Sequence, residues 1–187
     1  MNSKFSGLSD LELAKFLKGS RKESEEAFKV IYNRHSSAVH AYCVKVVGDE
    51  DQAEDIFQET FIKFYQNIDP NMANLNLFGF LIRIARNLCL NYKRDKKNTV
   101  PIDEIDFLFR DYQNYEQKEL LDLINRSLDL VDDEYREAFV LREYSGMDYN
   151  QIAEVTSTTL SNAKSRVFRA KQKIKAILKP YLKDISI

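Results

Sequence analysis

Between Ser157 and Ile174 the chain reads STTLSNAKSRVFRAKQKI, a stretch whose side chains are spaced for contact with a polyanion. Lys164, Arg166, Arg169 and Lys171 suit phosphate oxygens, which fix register on a duplex without reading its sequence. Ser161, Asn162 and Ser165 come earlier, where short hydrogen-bonding side chains can meet base edges. Leu160, Ala163, Val167, Ala170 and Ile174 recur at three- and four-residue steps, which predicts a helix with one apolar stripe. Ser157, Thr158 and Thr159 stand in front of it as available caps. From Leu160 onward Lys164, Arg166, Arg169, Lys171, Lys173, Lys175, Lys179 and Lys183 face a single acid, Asp184, although the whole chain carries a net charge of only −1. A helix that merely presents charge to water interleaves acids at four-residue steps. The imbalance points to a local polyanion.

Two further constellations lie upstream. DEDQAEDIFQETFIKFYQNI places Ala53, Ile56, Phe57, Thr60, Phe61 and Phe64 on one helical side. Its other side is acidic, with Asp51, Glu54, Asp55 and Glu59 beside Gln52 and Gln58. Further on, Arg83, Arg86, Lys93, Arg94, Lys96 and Lys97 accompany Phe78, Phe80 and Tyr92. Aromatics beside a basic groove suit unstacked single-stranded bases, although Phe78 and Phe80 at helical spacing fit a core role better. Cys43 and Cys89 lie far apart in apolar patterns and read as two buried thiols rather than a disulfide or metal pair. His35 and His40 have no second ligand pair nearby, so no metal site is expected. No nucleophile elbow, phosphate loop or dinucleotide fingerprint occurs, so neither a cofactor nor enzymatic activity is expected.

Composition bounds the rest. Of 187 residues 44% are hydrophobic and 30% charged, which excludes wholesale disorder. Five Gly and three Pro leave helix favoured nearly throughout. No apolar run approaches the ~18–20 residues that cross a bilayer, and MNSKFSGLSDLELAKFLKGSRK lacks a cleavable signal pattern. No membrane insertion and a cytoplasmic location are expected.

LSDLELAKFL, with Ser9 or Asp10 as cap, predicts a short first helix. ESEEAFKVIYNRHSSAVHAYCVKVVG predicts a long second one, bent near His35 and ended by Gly48. The acidic helix follows, then a loop at DPNMANLN, then the helix with the basic tail. From Thr99 to Tyr115 periodicity fails around Pro101. Beyond it QKELLDLINRSLDLV and DDEYREAFVLREYSG predict two helices, the second capped by Asp132 or Asp133 and stopped by Gly146. MDYNQIAEV is a short helix with Asp148 and Gln151 at capping-box spacing. Short helix, Ser/Thr-rich turn and basic helix make a helix-turn-helix, with Ile152, Ala153 and Val155 packing on Leu160, Ala163 and Val167. The expected fold is all-α: two small helical bundles, 1–98 and 116–187, joined by a flexible linker, 99–115.

DQAEDIFQETFIKFY, then FGFLIRIARNLCLNYKR, then YREAFVLREYSGMDYNQIAEV with NAKSRVFRAK resemble an RNA polymerase sigma factor of the extracytoplasmic-function (ECF) group, in that family's order and spacing. The resemblance implies that 1–98 is a sigma region 2 domain and 116–187 a sigma region 4 domain, with no domain between. It implies that Asp55, Gln58 and Glu59, the "D..QE" of the acidic helix, dock on the coiled coil of the largest subunit of core RNA polymerase. It assigns minus-ten promoter DNA to the Asp69–Leu75 loop and to Arg83, Arg86, Asn87, Asn91, Lys93 and Arg94. It assigns the minus-thirty-five element to Ser161, Asn162, Lys164, Ser165, Arg166, Arg169 and Lys171. An anti-sigma factor is a further implied partner.

The chain departs from its relatives at two places. Ser161, Asn162 and Ala163 stand where many carry a Gly-Thr-Val step, and Asn91 stands where Asp is common. Promoter sequences therefore do not transfer. A duplex-DNA regulator that works without polymerase is the alternative class, but it leaves the acidic helix without a purpose. A sigma mimic that only occupies an anti-sigma factor has no use for Lys164, Arg166 and Arg169 together.

Overall fold

The computed structural model describes residues 5–69, 76–97 and 117–182. The chain divides into two compact units, Met1–Lys93 and Arg94–Ile187. All regular structure among the described residues is helical. The Thr99–Tyr115 linker and all of the Asp69–Leu75 loop but Asp69 lie outside those residues.

In the first unit, α1 (Asp10–Phe16) opens with a capping box in which Ser9 and Glu12 satisfy each other's backbone N–H groups. A second such box, Ser20 with Glu23, starts α2 (Arg21–Val47), two residues before the start expected from periodicity. This 27-residue helix continues through His35 and ends at Gly48, whose φ of 74° is the left-handed conformation glycine adopts without steric cost. Against α2 packs α3 (Glu50–Asn67), burying the expected set Ala53, Ile56, Phe57, Thr60, Phe61 and Phe64. The fourth helix, α4 (Leu77–Lys97), is capped by Asn76, whose Oδ1 accepts from the Gly79 N–H at 2.9 Å. It buries Leu77, Leu81, Ile82, Ala85 and Cys89. Phe78 stacks on His35 of α2 at 5.2 Å, and Phe80 meets Phe64 of α3 at 6.2 Å. Both aromatics are thus half-buried and make ring contacts within the unit. The two cysteines are buried and free, as expected.

In the second unit, α8 (Leu160–Leu182) is the element on which α5 (Gln117–Asp129), α6 (Asp133–Glu143) and α7 (Tyr149–Val155) all pack. Its stripe Ala163, Val167, Ala170, Ile174 and Leu178 is buried, each large side chain adding roughly 1.5–3 kcal/mol. Leu160 corrects the expected stripe: at the first position of α8 it is 40% exposed. Asp148 and Gln151 form the expected capping box at α7. Asp132 occupies the N-cap position of α6, but its side chain makes no capping hydrogen bond. Gly146, with φ of 67°, turns the chain just beyond α6.

Asp10 ties α1 to α2. Its carboxylate accepts from Arg34 Nη1 and lies 2.8 Å from His35 Nε2, while Arg34 also donates to the Leu8 carbonyl at 3.0 Å. Burial alone raises the Asp10 pKa, but His35 and Arg34 outweigh it and hold the carboxyl below its usual 3.8. A carboxyl depressed in the folded state stabilises above its unfolded pKa and loses that contribution as pH falls through the folded value. Asp10→Asn is therefore expected to lower stability at neutral pH by about 1 kcal/mol, the upper range for a partly exposed pair. Melting curves of variant and wild type should converge as pH drops below 3.8.

Candidate nucleic-acid interface

The helix-turn-helix is built by local rules. Thr156, Ser157, Thr158 and Thr159 connect α7 to α8. Ser157 adopts φ of 53°, a left-handed turn on a non-glycine residue. Of the three available caps, Thr159 acts: its Oγ1 accepts from the Asn162 N–H at 3.2 Å. Ala153 of α7 and Ala163 of α8 are both buried, and small side chains on packed helices permit a close approach.

That start leaves Ser161, Asn162, Lys164 and Ser165 exposed on the first two turns of α8. Phe168, one turn further, is 62% exposed, the most exposed large hydrophobic side chain among the described residues. Phe168 is not among the residues expected to meet DNA. The signal was available, since it falls outside the three- and four-residue steps that mark the stripe. An exposed aromatic among cations on a recognition helix offers an apolar surface of the kind that meets a thymine methyl.

Four further cations of α8 are not open in the same way. Arg166 pairs with Glu134 at 2.8 Å, Lys171 with Glu143 at 2.8 Å, and Lys173 with Asp132. Arg169 donates to Tyr135 Oη at 3.0 Å, and its guanidinium lies over the same ring. The Tyr135 contacts raise the Arg169 pKa above its usual value, so this side chain stays cationic. The acids missing from α8 are thus supplied by α6 and its N-cap.

On α4, Arg83, Asn87, Asn91 and Arg94 are exposed and Arg86 and Lys93 are half-buried. Arg83, Asn87 and Arg94 follow steps of four and seven, so they share one face. Leu90 lies on that face, 42% exposed, and was not anticipated. Arg94 also approaches the carboxylate of Asp95 at 3.5 Å.

On α3, Asp55, Gln58 and Glu59 are all exposed. Gln58 donates to Glu54 at 2.9 Å, and Glu59 pairs with Lys63 at 3.2 Å. Beside this edge a groove of about 630 Å³ runs between α2 and α3, floored by Phe28, Phe57 and Phe61 and rimmed by Glu25, Glu54 and Gln58. Tyr32, Ile62 and Tyr65 are 37%, 57% and 42% exposed there. An apolar trough with an acidic edge has the character of a seat for an amphipathic helix. Among the described residues no group of three or more His, Cys, Asp or Glu is placed to hold a metal ion. No helix among them is long and apolar enough to cross a membrane.

Two helical units, one with a helix-turn-helix and one with an acidic, groove-bearing face, define a DNA-binding protein that also docks on another protein. The sigma-70 region 2 family matches residues 31–99, and the sigma-70 region 4 family matches residues 121–174. The chain belongs to the sigma-70 family of RNA polymerase sigma factors, in its ECF group, and serves promoter recognition and transcription initiation. It is 26% identical to the RNA polymerase sigma-H factor of Pseudomonas aeruginosa, over 86% of this chain and 90% of that one. It is 28% identical to the ECF RNA polymerase sigma factor SigM of Bacillus subtilis, over 79% of this chain and 92% of that one. Among solved structures it is similar to the sigma factor RpoE of Bartonella quintana, crystallised with the anti-sigma factor NepR. That match has a TM-score of 0.66 and 25% identity, covering 81% of this chain and 96% of that one. The fold also matches CnrH, solved with the cytosolic domain of CnrY, with a TM-score of 0.67 and 23% identity over 91% of this chain and 97% of that one.

Proposed function

We propose that the protein directs core RNA polymerase to promoters through two separate surfaces, region 2 in residues 1–98 and region 4 in residues 116–187, with 99–115 as the tether. The observation that carries this reading is the division of charge: an acidic edge on α3 and a basic, helix-turn-helix-borne α8 in a chain of net charge −1. In it, Asp55, Gln58 and Glu59 with the adjoining groove take the polymerase coiled coil. The Arg83, Asn87, Asn91 and Arg94 face of α4, flanked by Arg86 and Lys93, takes minus-ten DNA. The start of α8 takes the minus-thirty-five duplex. The protein works as an initiation factor rather than an enzyme, in the cytoplasm where polymerase and promoters are, and an anti-sigma factor restrains it. The likeness to a sigma factor crystallised with an anti-sigma factor supports this last partner.

Run-off transcription with core polymerase and a library of genomic promoters tests the whole reading. Specific transcripts are expected with the complete chain, and binding of duplex DNA with no polymerase-dependent transcription would favour the free-standing regulator instead.

Charge reversal on α3, Asp55→Lys with Glu59→Lys, is expected to weaken binding to core polymerase. Both acids are exposed, so the melting temperature should hold. Titration of fluorescent variant against core polymerase measures it, and unchanged affinity would move the docking site elsewhere.

Within α8 two kinds of contact should separate. Lys164→Ala is expected to weaken binding to every duplex alike and to flatten the log–log salt slope by about 0.9. Asn162→Ala should cost roughly 1–3 kcal/mol on the preferred sequence and little on a scrambled one, with the slope unmoved, because a neutral amide displaces no counterion. Phe168→Ala should behave as Asn162→Ala does and leave stability within about 0.5 kcal/mol of wild type. Equal losses on both duplexes for Asn162→Ala would place that side chain on the backbone.

A further inference from the structure

Three cations of α8 already have carboxylate partners within their own unit. Arg166 and Lys171 each lie 2.8 Å from a carboxylate, of Glu134 and Glu143 at the two ends of α6. Lys173 takes the Asp132 carboxylate, which as the N-cap of α6 is in position to accept from the helix and instead makes no capping bond. On the same flank, the Tyr135 hydroxyl accepts from Arg169, and the ring lies 5.2 Å from the Lys173 ammonium. Every one of these partners offers the donors what a phosphate offers: an oxygen at hydrogen-bonding distance. The pairs are also exposed enough to exchange, with side-chain exposures from 26% at Arg166 to 59% at Asp132.

We propose that Glu134, Glu143 and Asp132 are internal phosphate surrogates that compete with DNA for Arg166, Lys171 and Lys173. They thereby hold down the sequence-independent affinity of α8 for any duplex. The inference rests on the reading of α8 as the duplex-facing helix and adds residues of α6 to that site. A cation held by a carboxylate neutralises no phosphate and releases no counterion. A cation that leaves its carboxylate for a phosphate exposes an acid, which gathers a cation from solution. Either way the acids subtract from the counterions released on binding, so the salt dependence is shallower than the positive charge of α8 alone dictates. Base contacts from Ser161, Asn162, Ser165 and Phe168 are untouched by this competition, because none of them is a cation. The surrogates therefore shift the balance of binding toward the part that reads sequence.

The test uses the full chain and a fluorescent duplex of random sequence, with affinity followed across a salt series. Glu134→Gln, Glu143→Gln and Asp132→Asn are compared with wild type, singly and together. Each single change is expected to tighten binding at low salt and to steepen the log–log slope by up to about 0.9. Over a fourfold rise in salt each added phosphate contact then costs about 3.5-fold in affinity, so the triple variant should lose about 40-fold more than wild type. Asp129→Asn is the charge control: Asp129 pairs with Arg136 of α6, 3.8 Å away, and not with a cation of α8. It should move the slope little.

Identical slopes for wild type and the triple variant overturn the inference while leaving α8 as the DNA helix. So does an equal steepening from Asp129→Asn, which would reduce the effect to net charge. Weaker binding by the acid variants also overturns it, since the acids would then be positioning the cations for DNA. Absence of duplex binding by wild type and triple variant alike, at the lowest salt, overturns the reading of α8 itself. Circular dichroism melts accompany each variant, and if the triple variant unfolds, the slopes of the three single variants decide between the same outcomes.

Discussion

The second unit depends on one constraint: α8 has a single apolar stripe, and α5, α6 and α7 all bury their faces against it. A 23-residue helix covered on one side only must leave the other side in water, and here that side is basic. The small side chains Ala163 and Ala170 let neighbouring helices approach closely, which fixes α7 against the start of α8 and projects its first turns outward. Leu160 illustrates the cost of that projection. It falls in register with the stripe yet remains 40% exposed. The same geometry that strands Leu160 presents Ser161, Asn162 and Lys164.

The first unit solves a related problem with aromatics. Phe28, Tyr32, Phe57, Phe61 and Tyr65 join α2 to α3 through tilted and edge-to-face ring contacts, with centroids 4.9 to 6.3 Å apart. Rings so large cannot all be covered by two helices, so the seam opens into the groove on the side of Tyr32, Ile62 and Tyr65. The buried Ser24 hydroxyl bridges the Leu17 carbonyl and the Tyr65 hydroxyl, each at 2.9 Å, which steadies one wall of the groove. An apolar opening maintained by hydrogen bonds at its rim is suited to a partner, whereas a seam closed by aliphatic side chains would offer none.

Much of this was legible in the sequence, and the rest was not for definite reasons. Capping boxes, the Gly48 stop and the α3 core set are local, so periodicity and cap chemistry specify them. The pairing of α8 cations is non-local. Glu134 and Glu143 read in sequence as ordinary exposed acids of another helix, and only the packing of α6 along α8 brings them to Arg166 and Lys171. Counting acids within the α8 segment overstated its free charge for that reason. Asp132 or Asp133 is expected to cap α6; Asp132 takes the N-cap position, and its carboxylate meets Lys173 in place of a capping bond, an ion pair that no local pattern encodes. Phe78 was read both as core and as a base-stacking platform. His35, forty-three residues earlier in the chain, stacks on Phe78, a contact within the unit that leaves the ring half-buried.

These observations bear on why a nearly neutral chain separates its charge at all. A uniformly mixed surface would bind neither a polyanion nor a basic helix, whereas a uniformly basic one would bind every stretch of duplex through phosphates alone. Dividing the charge gives each partner its own face. It also makes each face weak, because an exposed ion pair in water contributes at most about 1 kcal/mol. Weak separate contacts become effective when made together, since engaging one surface raises the local concentration of the other's ligand without any new contact. Promoter DNA and polymerase are presented together only in the initiation complex. On the proposed reading, a factor whose faces are individually weak is tight only there, and the proposed competition of the α6 acids for the α8 cations pushes the balance in that same direction.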